Sequence, residues 1–142
     1  MARQRDNVPE GLRRRLDEAH RGILRVHKAL LDHERGRYEL AVGAVGGPGE
    51  FLQLLINDPW FAWLRPLSSL AALMDEFTAS RDPVDPAEGE ALLAQAGAML
   101  TPDANGGAFQ REYQRALAES PAVVAAHGEW KAAWGRIQVD AG

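Results

Sequence analysis

Residues 50–77 read EFLQLLINDPWFAWLRPLSSLAALMDEF, the densest apolar run of the chain, and its punctuation decides the fold. After Gly49, the side chains of Phe51, Leu54 and Leu55 recur at a three-four spacing that gathers them on one helical face. Asn57-Asp58-Pro59 must end that helix, because proline disfavours helical geometry in the residue before it. Asp58 can then cap a second helix that carries Pro59 at its first position. In this second helix Trp60, Trp63, Leu64, Leu67, Leu70, Ala71, Met74 and Phe77 share one wide stripe at about 100° per residue, which marks it as core. Pro66 falls inside it, removes an amide donor and clashes with the preceding turn at a cost of about 3 kcal/mol, so a kink is expected there. The opposite face is half apolar: Phe61, Ala72 and Leu73 lie there with Arg65, Ser69 and Glu76. A helix apolar on both sides lies centrally in a bundle or at an interface, which makes Arg65 and Phe61 the candidate interaction residues.

Towards the N-terminus, AVGAVGGPG at residues 41–49 is a connector. It has no Gly-Lys-Ser/Thr ending and follows no strand pattern, so it does not read as a phosphate cradle. Before it, Leu12, Leu16, Ala19, Ile23, Val26 and Leu30 keep a heptad-like spacing, predicting one long helix from near Pro9 to about Arg37, capped by Asn7 or a neighbour. Residues 1–7 read as a flexible arm. Towards the C-terminus, Asp85-Pro86-Ala87-Glu88 resembles a capping box, and the helix after it turns Leu92, Leu93, Ala96, Met99 and Leu100 inward. Turn residues fill 101–107, Phe109, Tyr113, Ala116 and Leu117 mark a shorter helix, and Ser120-Pro121 opens a last one with Val123, His127, Trp130, Trp134 and Ile137 on its stripe. The fold class is all-α: a single bundle over residues 8–142, of five or six helices with a long first helix and a proline-kinked central one.

Composition narrows the function classes. A chain of 142 residues with 46% apolar and 25% charged side chains is long enough to bury a core in one domain. No apolar run approaches the roughly 20 residues that span a bilayer, and no signal-peptide centre stands at the N-terminus, so a cytoplasmic chain is expected. The absence of cysteine closes thiolate metal sites, disulfides and thiol nucleophiles. A net charge of −4 argues against nucleic-acid binding, although residues 1–40 carry +3 and the remainder −7. The basic triplet Arg13-Arg14-Arg15 has no aromatic or polar readers beside it, and a salt-bridged helix resting on an acidic body is the simpler reading.

The histidines are the one pattern that suggests chemistry. His20 and His27 lie seven residues apart at the edge of the first helix's stripe, His127 sits on the apolar face of the last helix, and His33 reads as peripheral. Two of them are separated by about 10 Å of helix rise, too far to share one zinc. Glu-x-x-His is missing as well, since Asp17, Leu24 and Val124 stand three residues before His20, His27 and His127. A haem needs only one or two axial histidines in an apolar, aromatic pocket, which His20, His27 or His127 with Trp60 and Trp63 can supply; no attachment motif accompanies them. For a histidine base, Asp17, Glu34 and Glu129 are the orienters near in sequence, while Ser68, Ser69, Ser80 and Ser120 sit in no nucleophile elbow. The ordinary reading of each histidine is a hydrogen bond that satisfies the edge of the core.

The run from Asp58 to Glu76, DPWFAWLRPLSSLAALMDE, with the LLIN before it and AESPAVVAAH later, resembles a group of small bacterial helical proteins of uncharacterised function. Trp63, Leu64, Arg65, Pro66, Leu67 and Ser68 carry most of that resemblance. It implies a bacterial helical domain and brings no activity with it. The leading expectation is a non-catalytic binding or protein-interaction module, a homodimer because the tryptophan-rich surface would otherwise stay exposed. The alternatives are a cofactor protein holding haem or a metal ion through the histidines, with a small-molecule ligand as its partner, and a small enzyme with a histidine base.

Overall fold

The computed structural model describes residues 8–141, and the arm expected at residues 1–7 lies outside them, together with Asn7 as its cap. Six α-helices follow in order: α1 Glu10–Ala41, α2 Pro48–Asn57, α3 Arg65–Ala79, α4 Pro86–Met99, α5 Ala108–Glu119 and α6 Pro121–Ala141. A 3₁₀ segment, Pro59–Leu64, joins α2 to α3, and the described residues contain no strand. None of these helices is long and apolar enough to cross a membrane.

α1 is the spine. Its whole predicted stripe, Leu12, Leu16, Ala19, Ile23, Val26 and Leu30, is buried, and α3, α4 and α6 pack around it. α6 runs antiparallel to α1, as the pairs Arg136–Glu18 (2.6 Å) and Arg25–Glu129 (3.7 Å) require. Two glycines let the helices close. A β-carbon on Gly22 of α1 would stand 2.7 Å from Cε3 of Trp130, and one on Gly97 of α4 would overlap the ring of Trp134. Those two indoles are stacked with centroids 5.5 Å apart, so α1 and α4 press glycines against one aromatic pair on α6.

Three caps fall where the sequence places them, Asp85 through its own side chain and without the returning Glu88 bond of a capping box. Asp58 accepts a hydrogen bond from the amide of Trp60 (2.8 Å), Asp85 from that of Ala87 (2.9 Å), and Ser120 Oγ from that of Val123 (3.2 Å). Each satisfies an amide that the first helical turn leaves without a partner. Gly49, expected at the end of the connector, is instead inside α2, and the chain turns earlier, where Gly43 takes φ of +149°. That is a backbone a β-carbon would strain.

The central stretch departs from a single kinked helix. Pro66 occupies the first turn of α3, where its missing amide donor breaks no helical bond, and the change of helix type takes up the bend. A 3₁₀ helix has about three residues per turn, so side chains three apart eclipse. Phe61 and Leu64 therefore face the core together, in line with Leu67 and Leu70 of α3, and Trp60 and Trp63 rotate to its edge, where they are half-buried. The expected stripe, computed at 100° per residue, placed Trp60 and Trp63 inside and Phe61 outside; the tighter winding exchanges them.

Candidate functional site

Three of the residues singled out in the sequence meet in one groove. His27 and Leu31 of α1, Leu52, Leu55 and Ile56 of α2, Phe61 and Leu64 of the 3₁₀ segment, and Arg65, Ser68 and Ser69 of α3 line a groove of about 410 Å³. Phe61 is 1% exposed and forms its floor, in contact with Phe51 and Tyr38, so it is not a residue that a partner touches first. Arg65 crosses to a second helix of its own chain: Nε donates to the carbonyl of Leu55 (3.2 Å) and Nη2 to that of Asp58 (3.1 Å). It thereby satisfies the Leu55 carbonyl left open at the end of α2, adds a second donor to the Asp58 carbonyl that already accepts from the Phe61 amide, and places a cation at the negative end of that helix. Burial holds the His27 imidazole below its ordinary pKa, which keeps it neutral at physiological pH. α2 itself has no buried residue, and Leu52 and Ile56 are 54% and 55% exposed.

Trp60 and Trp63 belong elsewhere. With Glu34, Arg37, Pro59, Ala62 and Glu112 they line a separate cleft of about 390 Å³. Glu34, 1% exposed, continues the buried stripe of α1 one turn past Leu30. Its two carboxylate oxygens accept from Arg37 Nη1 (2.7 Å) and from Arg115 Nη2 of α5 (2.8 Å). Arg115 also donates to Glu112 (2.8 Å) and Glu119 (2.6 Å), and His33 Nε2 lies 2.9 Å from Glu119. Burial alone would lower the pKa of Arg115, but its bonds to Glu34 and Glu112 leave it raised. The hydrogen bond with His33, then the charges of Arg115 and Arg37 against some burial, hold the Glu119 carboxyl below its ordinary value. The two guanidiniums also lie over the indoles, Arg37 over Trp60 at 5.2 Å and Arg115 over Trp63 at 5.8 Å. Both indole Nε1 atoms are buried and find no partner among the described residues.

His33, expected at the periphery, is thus one end of an ionic chain that ties α1 to α5. The sequence carries a signal for it: one turn past Leu30 the apolar stripe of α1 runs into Glu34, beside His33, and a carboxylate in a core position needs cations nearby. Which cations was not readable, since Arg115 is 81 residues away.

The remaining histidines do not converge. His127 shares a 2.6 Å hydrogen bond from Nδ1 with the hydroxyl of Tyr113 on α5, and His20 is only half-buried on α1. Burial, with Lys131 adding to it, lowers the pKa of His127, and burial raises that of Tyr113, so both are held neutral. A tyrosine with a raised pKa is a poor nucleophile, and the pair reads as a satisfied core contact. Of the suggested orienters, Glu34 binds arginines and Glu129 faces Arg25. Among the described residues no group of three or more His, Asp or Glu side chains is placed to hold a metal ion. The histidines and tryptophans named for haem fall into separate places: His27 in the groove, His127 against α5, and both tryptophans in the cleft of Glu34.

The class this defines is an all-α bundle that leaves Leu52 and Ile56 of α2 exposed beside an apolar groove. Compared with family models, with curated proteins and with solved structures, the chain finds no match.

Proposed function

We propose that the chain is a non-catalytic interaction module of the cytoplasm that works as a homodimer joined through α2. The observation that carries this is the state of α2: of the five large apolar side chains in PGEFLQLLIN, Phe51, Leu54 and Leu55 are only half-buried against the core, and Leu52 and Ile56, one turn apart, are exposed. Monomeric proteins rarely leave contiguous apolar surface uncovered, and a helix this apolar is accounted for when a second molecule covers it. A second copy suits it by charge. Glu50 is the only charged residue of α2, so two such helices can lie side by side about a two-fold axis without like-charge repulsion. The groove behind, with Arg65 fixing the end of α2, gives the pair a firm seat. The resemblance of the central run to small bacterial helical proteins suits a free-standing module of this kind. Haem or metal binding draws no comparable support, because the residues named for it are dispersed.

Light scattering on the eluting protein at micromolar concentration is the test. A mass of twice 15.5 kDa is expected, falling to a single chain in Leu52→Glu/Ile56→Glu with helicity unchanged. A strictly monomeric wild type, or a dimer indifferent to that double change, would sink the reading.

A further inference from the structure

Further along α3, over its C-terminal half, a second groove of about 470 Å³ runs between α3 and α4. Its apolar lining includes Leu73 and Phe77 on α3, Val84 in the connecting loop and Leu92 on α4, and Leu73 is 48% exposed. Its rim is acidic: Glu76, Asp85 and Glu88 all line it. Among the described residues no lysine, arginine or histidine nitrogen lies within ion-pair distance of these three carboxylates. Arg13 donates to the carbonyl of Thr78 at the end of α3 (3.0 Å), and Arg81 is exposed in the loop.

We infer that this groove receives an amphipathic helix of a partner protein, apolar on one face and flanked by lysine or arginine. Shape supports a helix. Leu73 and Phe77 are one turn apart on α3, as Glu88 and Leu92 are on α4, so two ridges enclose a trough into which the i, i+4 row of a third helix fits. Charge supports a basic one. Among the described residues Glu76 and Glu88 have no cation partner and Asp85 has only the Ala87 amide on one oxygen, and residues 41–142 carry −7 overall, which draws a cationic segment in and repels an acidic one. A second copy of this chain is a poorer occupant, because its own basic residues are concentrated on α1, the helix around which its core is built. The inference is independent of dimerisation, since α2 and this groove share no residue.

The test uses the full chain and a fluorescent synthetic helix of leucine and lysine, read by anisotropy, beside the same peptide with glutamate for every lysine. The lysine peptide is expected to bind saturably and at least about tenfold more tightly than the glutamate one, and to weaken as salt is raised. Glu76→Lys/Glu88→Lys should reverse the preference, and Leu73→Ser should weaken binding while leaving the rim charges in place. Equal affinity for the two peptides, no binding, or an unchanged preference in the reversed variant overturns the inference. So does loss of binding in Leu52→Glu but not in Leu73→Ser, which would seat the peptide on α2. A dimer broken by Glu76→Lys/Glu88→Lys would give the groove to a second copy and overturn it likewise, leaving the interaction reading intact.

Discussion

Replacing Glu34 by glutamine tests whether the ionic cluster holds α5 to the bundle. The substitution keeps shape and one oxygen, but it turns the other oxygen into an amide that faces a guanidinium donor. One charge-assisted hydrogen bond is lost, about 1.5–3 kcal/mol, and a buried site keeps two cations with their common anion gone. Removing one partner of a buried pair costs about 3–5 kcal/mol when the other is fully desolvated. Here the partners are not: Arg37 and Arg115 are 37% and 26% exposed, and Arg115 retains Glu112 and Glu119. The lower end applies, and Glu34→Gln should destabilise by about 2–3 kcal/mol, lowering Tm by roughly 6–9 °C at about 3 °C per kcal/mol for a chain of this size. Urea unfolding followed by circular dichroism measures it, with Glu112→Gln as the control. Glu112 binds the same arginine but is 44% exposed, so its loss should stay within about 1 kcal/mol. Pairing Glu34→Gln with Arg115→Gln should reveal a coupling above about 1 kcal/mol. A Glu34→Gln protein within 0.5 kcal/mol of the wild type, about the scatter of an ordinary surface change, would refute the claim that this carboxylate fastens the helices.

Two further outcomes follow from the packing and from the buried rings. Gly22→Ala gains up to about 1 kcal/mol of helix propensity, yet it drives a methyl group into Trp130, where overpacking costs about 1–3 kcal/mol; a net loss of about 1 kcal/mol is expected in urea. Gly11→Ala, with nothing within 4 Å of the new carbon, should be neutral or stabilising, and a Gly22→Ala protein that gains as much would show that the α1–α6 approach is not glycine-dependent. The imidazoles of His27 and His127 have pKa values lowered from 6.5 by burial, so the unfolded chain binds more protons than the folded one once pH falls below that value. Their stabilisation is complete above the unfolded value and is lost as pH drops from there through the folded values. Glu90, held down by its bond with Arg15, and Glu119, by its bond with His33, begin to lose theirs only below about 4.5. Unfolding free energies should therefore start to fall below about pH 6.5, and His27→Gln should remove part of that slope; a flat profile down to about pH 5 contradicts it.

Local physics was legible in the chain. The stripe of α1 is a run of apolar residues at a heptad spacing, and any packed helix must bury it. Asp58-Pro59, Asp85-Pro86 and Ser120-Pro121 start new segments because an oxygen that accepts an early amide and a ring that fixes φ act within a few residues. What these rules could not reach was the helix type around Trp60. Pro59 and Pro66 bracket a stretch too short for a full α-helix, and the choice of 3₁₀ winding moved Phe61 into the core and the two tryptophans out of it.

Tertiary structure alone decided where distant side chains meet. Glu34 and Arg115 are far apart in sequence, and nothing local to either names the other; only the packing of α5 beside the end of α1 joins them. The glycines at 22 and 97 look like flaws in their helices until Trp130 and Trp134 arrive from α6 to fill the space. The groove of His27 and Arg65 also needs α1, α2 and α3 at once, and so does its separation from His127. The sequence by itself determined the buried stripe of α1 and where helices begin, since a regular helical repeat and capping depend on near neighbours. Which buried residues touch, and which apolar faces stay open, depends on how the helices cross, and that was settled only when the bundle closed.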